Sequence, residues 1–189
     1  MKIAIYGGTF NPIHFGHLLS AQFVAETLDY DQIYFVPAHI PVHKNTSNLI
    51  DGFHRLKMIE LAITSIPQFS ILDIELKRGG NSYTIDTIES LINETNIDSK
   101  IGIIIGDDLI DGLSTWKSFE KLQKLTDIIC LTRKNRSYDN IYNVQFLHNN
   151  IYEFSSTEIR KRIINKRNID FMVPNNVKNY IESNGLYQN

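Results

Sequence analysis

The chain has 189 residues, 42% of them hydrophobic and 21% charged, the make-up of one globular domain with a core of its own. A net charge of −2 excludes a protein that coats nucleic acid or an anionic membrane, so any polyanion it binds is small and held by local groups. The single cysteine, Cys130, excludes an internal disulfide, and its place in the apolar run Asp127–Leu131 marks a buried thiol rather than a nucleophile.

The first segment, Lys2–Tyr6, reads as a buried parallel strand. It starts without a signal-peptide pattern, and no apolar run nears membrane-spanning length, so the expected compartment is the cytoplasm. The strand leads into Gly7-Gly8-Thr9-Phe10-Asn11-Pro12-Ile13-His14-Phe15-Gly16-His17 and then a helix with Leu18, Ala21, Ala25 and Leu28 on one face. Glycines at a strand-to-helix turn let backbone N–H groups approach an anion. The run matches neither the Gly-x-Gly-x-x-Gly fingerprint nor the P-loop pattern, and tight turns need glycine in any case. The histidines decide the reading. Core packing offers no reason to set His14 and His17 three residues apart at a helix start, where both project toward one point. A phosphate site follows.

Ile33–Val36 is a second strand, ended by Pro37, and residues 37–50 read as a long loop. His39 and His43 in that loop raise the alternative of a zinc site with His14 and His17, which no cysteine or nearby carboxylate pair supports. Leu56, Ile59, Ile63 and Ile66 mark the next helix, and Phe69–Leu72 begins a third strand. The polar turn Lys77–Tyr83 opens a helix with Ile85, Ile88 and Ile92 on its apolar face. Ser82 or Thr84 serves as readily to cap that helix as to bind a ligand.

Ile101–Ile105 is a fourth strand, apolar throughout as in a sheet covered on both faces. Gly106, Asp107 and Asp108 follow its end, where capping and ligand binding are equally open readings. Short helical stretches run through Trp116 and Leu125 to the Cys130 strand. A polar loop at 134–143 and a short strand Val144–Leu147 come next. Ser155–Ile164 and Pro174–Ser183 are terminal helices, with Pro174 in a first turn and Gly185 just past the end.

Ser155 or Ser156 caps the first of these helices, and Arg160 lies about one turn on, within reach of an anion at the helix N-terminus. Lys161, Arg162, Lys166 and Arg167 read as a solvated basic face, and Arg160 stands between that reading and a ligand contact. The alternation of strands and helices predicts a single α/β domain over 1–189, a Rossmann-like, doubly wound and mostly parallel sheet with helices on both faces. Ligands on such sheets bind at the carboxyl ends of the strands, where the glycine turn, the 37–44 loop, the 77–84 turn and Gly106 converge.

Together these motifs resemble the nucleotidyltransferases with a His-x-Gly-His motif, and within them the bacterial nicotinate-nucleotide adenylyltransferase branch. The resemblance spans the chain. It includes Gly8–His17, Pro41-x-His43-Lys44, Arg55-Leu56-x-Met58, Gly79-Gly80-x-Ser82-Tyr83-Thr84-x-Asp86-Thr87, Ile105-Gly106-x-Asp108, Trp116, Ser155-Ser156-Thr157-x-Ile159-Arg160 and Gly185-Leu186-Tyr187. Asn11 stands where aspartate is common, and Asn135 where an Arg-x-Gly loop has glycine.

The resemblance implies adenylyl transfer from ATP to nicotinate mononucleotide in NAD biosynthesis, with Mg²⁺ carried by the ATP phosphates. It assigns His14, His17 and Arg160 to catalysis, and Gly7, Gly8, Thr9, Phe10, Gly106, Asp108, Ser155, Ser156 and Thr157 with them to ATP. It assigns His43, Lys44, Ser82, Tyr83, Thr84, Trp116 and Arg133 to the mononucleotide. A phosphopantetheine-using sibling would carry Thr in place of His14 and lack the Gly-Gly-x-Ser-Tyr-Thr run. A sensor module that only binds nucleotide would have no need of both histidines and Arg160. Monomer and homo-oligomer are both compatible with the sequence.

Overall fold

The computed structural model describes residues 1–42, 48–94, 99–132, 142–148 and 154–188. Six strands form the main sheet: β1 (Ile3–Gly8), β2 (Gln32–Pro37), β4 (Phe69–Ile71), β6 (Ile101–Gly106), β7 (Thr126–Thr132) and β8 (Gln145–His148). Their spatial order is β4-β2-β1-β6-β7-β8, and every neighbouring pair is parallel. The chain therefore winds outward from β1 to β4, returns, and winds the other way from β6. The reversal falls between β1 and β6, which opens a crevice at their carboxyl ends.

Alternation along each strand divides the core into two layers. Ala4, Ile33, Phe35, Ile104, Ile129 and Leu131 face one layer, under α1 (Phe15–Leu28), α2 (Gly52–Ile63), α6 (Ser156–Ile164) and α7 (Asn175–Ser183). Ile3, Ile5, Ile101, Ile103, Ile105, Ile128 and Cys130 face the other, under α4 (Thr84–Glu94), the 3₁₀ segment Asp107–Thr115 and α5 (Phe119–Leu125). Burial pushes the Cys130 thiol up to about 12, with Asp107 and Asp108 adding to the shift, so at neutral pH it is an inert packing group. Among the described residues no helix is long and apolar enough to cross a membrane.

Three elements depart from the sequence expectation. Pro37 is the last residue of β2 rather than its terminator, and Ile66 lies beyond the end of α2. The segment before the glycine pair, read as a turn from Lys77, is a short helix, α3 (Ile74–Arg78). Five residues are too few to show helical periodicity. Gly79 and Gly80 follow with φ of 71° and 68°, a left-handed pair that only glycine adopts freely. They turn the chain into β5 (Asn81–Ser82), which pairs with β3 (Ile40–Pro41) in a second, two-stranded parallel sheet.

Candidate active site

The end of β1 carries the glycine turn to the crevice. Gly7, Gly8 and Thr9 line a cavity of about 870 Å³, measured with its open mouth, together with Ser82, Tyr83, Thr84, Trp116 and Lys117. A methyl group on Gly7 would meet nothing within 4 Å, whereas one on Gly8 would touch the Phe10 ring at 3.0 Å. The small sheet explains how residues more than forty positions apart face each other. Pairing of Ile40 with Asn81 and Pro41 with Ser82 fastens the 79–84 turn to the loop after β2. The His39 amide adds a hydrogen bond to the Ser82 hydroxyl at 2.9 Å.

Beneath that loop, Arg55 is 1% exposed, and among the described residues no carboxylate is hydrogen-bonded to it. Its guanidinium donates to the carbonyls of Thr9 at 2.9 Å, Ala38 at 2.7 Å and Ile50 at 3.1 Å. One buried side chain thus sets the spacing of the glycine turn, the β2 loop and the start of α2. Burial pulls its pKa below the usual arginine value, against smaller opposing effects of Tyr187 and Asp51. Glu75 is a second brace. It accepts from the Thr87 hydroxyl at 2.7 Å, tying α3 to α4 and fixing the amides at the start of α4.

The loop after Thr9 builds the other half of the site. His14 is the N-cap of α1 and His17 sits in its first turn, and their rings stack at 3.7 Å between centroids. The His14 amide donates to Nδ1 of His17 at 3.3 Å, so a neutral His17 ring carries its proton on Nε2, as a donor. Phe10 was expected among the nucleotide contacts. Its side chain is instead a core ring, 1% exposed and 5.0 Å from His17, so that only its main chain is left for a ligand.

The start of α6 docks against this loop from the far end of the chain. Ser155 caps the helix by accepting from the Glu158 amide at 3.4 Å, and the Ser156 hydroxyl donates to the Pro12 carbonyl at 2.9 Å. Arg160 folds back toward the loop rather than outward with its basic neighbours. It donates to the Asn11 carbonyl at 2.7 Å and to the Thr157 hydroxyl at 3.4 Å. A methyl on Gly16 would press on both the His14 ring and Phe154 at 3.0 Å, so glycine there permits the approach.

The structure therefore gathers two sets of predicted residues on either side of Gly7–Thr9. One holds Ser82, Tyr83, Thr84 and Trp116, the other His14, His17, Ser155, Ser156, Thr157 and Arg160. Gly106 and Asp108 stand at the end of β6, outside the cavity lining. His43, Lys44, Arg133 and Asn135 lie outside the described residues. Among the described residues, no three His, Cys, Asp or Glu side chains gather as metal ligands. Sequence reasoning gave no role to Arg55 or Glu75, since nothing in the pattern says which charged residue is buried, nor to the exposed Lys117.

A sequence model of the cytidylyltransferase-like family matches residues 5–162. The nicotinate-nucleotide adenylyltransferase of Bacillus subtilis (strain 168) is 40% identical over 187 residues, covering 99% of this chain and 98% of its own. A probable nicotinate-nucleotide adenylyltransferase of Lactococcus lactis is 36% identical, covering 99% and 95%. The chain belongs to the nicotinate-nucleotide adenylyltransferase family. The fold agrees as well. A solved Plasmodium falciparum nicotinic acid mononucleotide adenylyltransferase complexed with NaAD superposes with a TM-score of 0.80 at 22% identity, covering 98% of this chain and 97% of that one.

Proposed function

We propose that this chain transfers the adenylyl group of ATP to nicotinate mononucleotide, giving nicotinate adenine dinucleotide and pyrophosphate. The observation that carries this reading is the adjacency of two different half-sites across Gly7–Thr9. The apolar cavity walled by Trp116 and the Tyr83–Thr84 amides suits a pyridine ring with an anionic substituent. The cationic and N–H-rich loop around His14, His17 and Arg160 suits a triphosphate.

The mononucleotide phosphate oxygen attacks the α-phosphorus of ATP, the new P–O bond forms, and the bond to the β-phosphate oxygen breaks. The attacking phosphate is ionised near neutral pH, so no general base is needed. Catalysis is alignment plus stabilisation of charge that shifts toward the leaving pyrophosphate. His14 and His17 supply that stabilisation at the α-phosphate. Arg160 and the amides after Ser155 hold the β- and γ-phosphates, with Ser156 and Thr157 fixing the helix start. The backbone of Gly7, Gly8, Thr9 and Phe10 approaches the phosphates, and Gly106 and Asp108 meet the ATP ribose.

The donors on the triphosphate side are imidazole, guanidinium and amide groups, which offer no carboxylate shell to a hard cation. Mg²⁺ would be held by the ATP phosphates and water rather than by these side chains, and would supply charge neutralisation when bound. On the acceptor side, Trp116 stacks on the pyridine ring, and the Tyr83 and Thr84 amides donate to the carboxylate beside Ser82.

The test is pyrophosphate release from ATP and Mg²⁺ with nicotinate mononucleotide, nicotinamide mononucleotide or phosphopantetheine as acceptor. Release is expected with nicotinate mononucleotide foremost. Release with phosphopantetheine alone, or with none of the three, overturns the reading.

A further inference from the structure

Among the described residues, Lys117 is the only cationic one lining the cavity. Its ammonium lies 4.7 Å from the centre of the Tyr83 ring and 2.8 and 3.0 Å from the two carboxylate oxygens of Asp86, in the first turn of α4. Those contacts place it beside the Tyr83 ring and the first turn of α4. The Gly7–Thr9 turn, where phosphate approaches, belongs to another wall. We infer that Lys117 is a specificity-determining residue that selects a pyridine carboxylate over a carboxamide. This inference rests on the reaction proposed above.

Nicotinate and nicotinamide mononucleotides share ribose, phosphate and ring, and differ only in a charge at the ring substituent. Backbone amides donate hydrogen bonds to either oxygen, so their discrimination is partial. A cation adds a Coulomb attraction that exists for the carboxylate alone. The ammonium has three donor hydrogens, and a carboxylate can share them with Asp86. Asp86 and the Tyr83 ring meanwhile hold a flexible side chain in place before the ligand arrives, so less freedom is lost on binding. The Glu75 carboxylate, which also lines the cavity, is engaged by Thr87 and braces the wall.

A phosphate contact and a carboxylate contact predict different results. Lys117→Met keeps the aliphatic stem and removes the charge. Calorimetric binding and steady-state kinetics should show affinity for nicotinate mononucleotide falling about tenfold, as for loss of one hydrogen bond to a charged group. The loss should appear in KM, with kcat and the KM for ATP held, and nicotinamide mononucleotide unaffected. Lys117→Arg should retain most of the preference. Asp86→Asn, which frees the ammonium from its counter-charge, should raise the nicotinate-to-nicotinamide ratio.

An equal loss for both mononucleotides in Lys117→Met would assign the residue to the phosphate and overturn the inference, as would an unchanged ratio. A ratio that falls in Asp86→Asn would likewise reduce the ion pair to a structural brace. Should the unmodified protein release no pyrophosphate, the proposed reaction fails, while the two binding affinities still decide the part played by Lys117.

Discussion

Tyr187, near the end of the chain, donates its hydroxyl hydrogen to Oδ1 of Asn11 at 2.9 Å. The same Asn11 offers its main-chain carbonyl to Arg160 at 2.7 Å and its side-chain amide to the Asn48 carbonyl at 2.7 Å. An aspartate at position 11 could not make that last donation. One residue of the glycine–histidine loop thus joins three distant parts of the chain.

Tyr187→Phe removes one link of this set. The expected stability loss is about 1 kcal/mol, the net worth of one buried hydrogen bond. If the link also holds the loop for Arg160, the KM for ATP rises severalfold while that for the mononucleotide stays near normal. Thermal unfolding and initial rates measure the two effects separately. A stability loss with unaltered ATP kinetics would confine Tyr187 to packing.

His17→Ala should reduce kcat by about a hundredfold or more, the scale of losing one charge-stabilising donor. The change also deletes the acceptor of the His14 amide, for which a cap-sized penalty of about 1 kcal/mol is expected. Pyrophosphate release and a melting curve check both figures. Near-normal turnover in a folded variant would remove His17 from the mechanism.

Arg55→Met should be the most damaging of these changes to stability. It leaves the carbonyls of Thr9, Ala38 and Ile50 without this donor in a buried setting, and about 1–3 kcal/mol is expected for each that stays unsatisfied. Urea titration gives the value. A loss below about 1 kcal/mol would mean that the three strands of backbone hold their spacing unaided.

Two glycines should respond in opposite ways to alanine. Gly102 lies under Tyr30, whose hydroxyl oxygen is 2.5 Å from where a methyl would stand, with Ala4 at 2.8 Å. Gly102→Ala should therefore cost about 1–3 kcal/mol by overpacking. Gly7→Ala meets no neighbour within 4 Å and lines the cavity, so its melting temperature should hold while substrate KM rises. Unchanged kinetics in Gly7→Ala would show that no ligand approaches that face of the turn.

Stability should decline in alkali. Burial raises Cys130 from 9.0 to about 12, and raises Tyr30 from 10.0 to about 12 with help from Asp127. Burial moves Tyr187 in the same direction. Between the unfolded and folded values the unfolded chain has lost its proton and the folded chain has kept it, so stability falls as pH rises. The contribution is whole below pH 9 and is lost from there to about 12 for Cys130, and from pH 10 for Tyr30. Melting temperature followed from pH 8 upward should bend down near 9, and Cys130→Ala, though less stable at pH 8, should show a shallower first bend.

The elements with long periodic or wholly apolar stretches were legible in the sequence. Ile101–Ile105, the Cys130 strand and the faces of α1 and α4 stand close to where patterning puts them. The paired histidines stand out as candidate chemistry because packing gives no other reason for them, whereas Arg160 stands between a solvated basic face and a ligand contact until the family resemblance is added. Short elements were not. The ladder of β3 with β5 needs two residues from each strand, too few to repeat anything, yet it sets Ser82 opposite Pro41 and fastens the 79–84 turn beside the cavity. Buried charge was hidden too. Arg55 occupies a helical position that solvated arginines also favour, and only the three carbonyls around it show which way it turned. Phe10 shows the same limit, since the pattern does not say whether a motif residue offers its side chain or its main chain, and here the side chain is a core ring.

The docking of α6 and Tyr187 onto a loop that begins at Gly7 bears on how the protein is made. A chain still being synthesised has its glycine turn, its histidines and its acceptor cavity long before it has Arg160. The proposed triphosphate site is not complete until α6, residues 156–164, has left the ribosome. Incomplete products can thus carry most of the sheet, yet they lack Arg160 and the α6 start that the proposed ATP site requires.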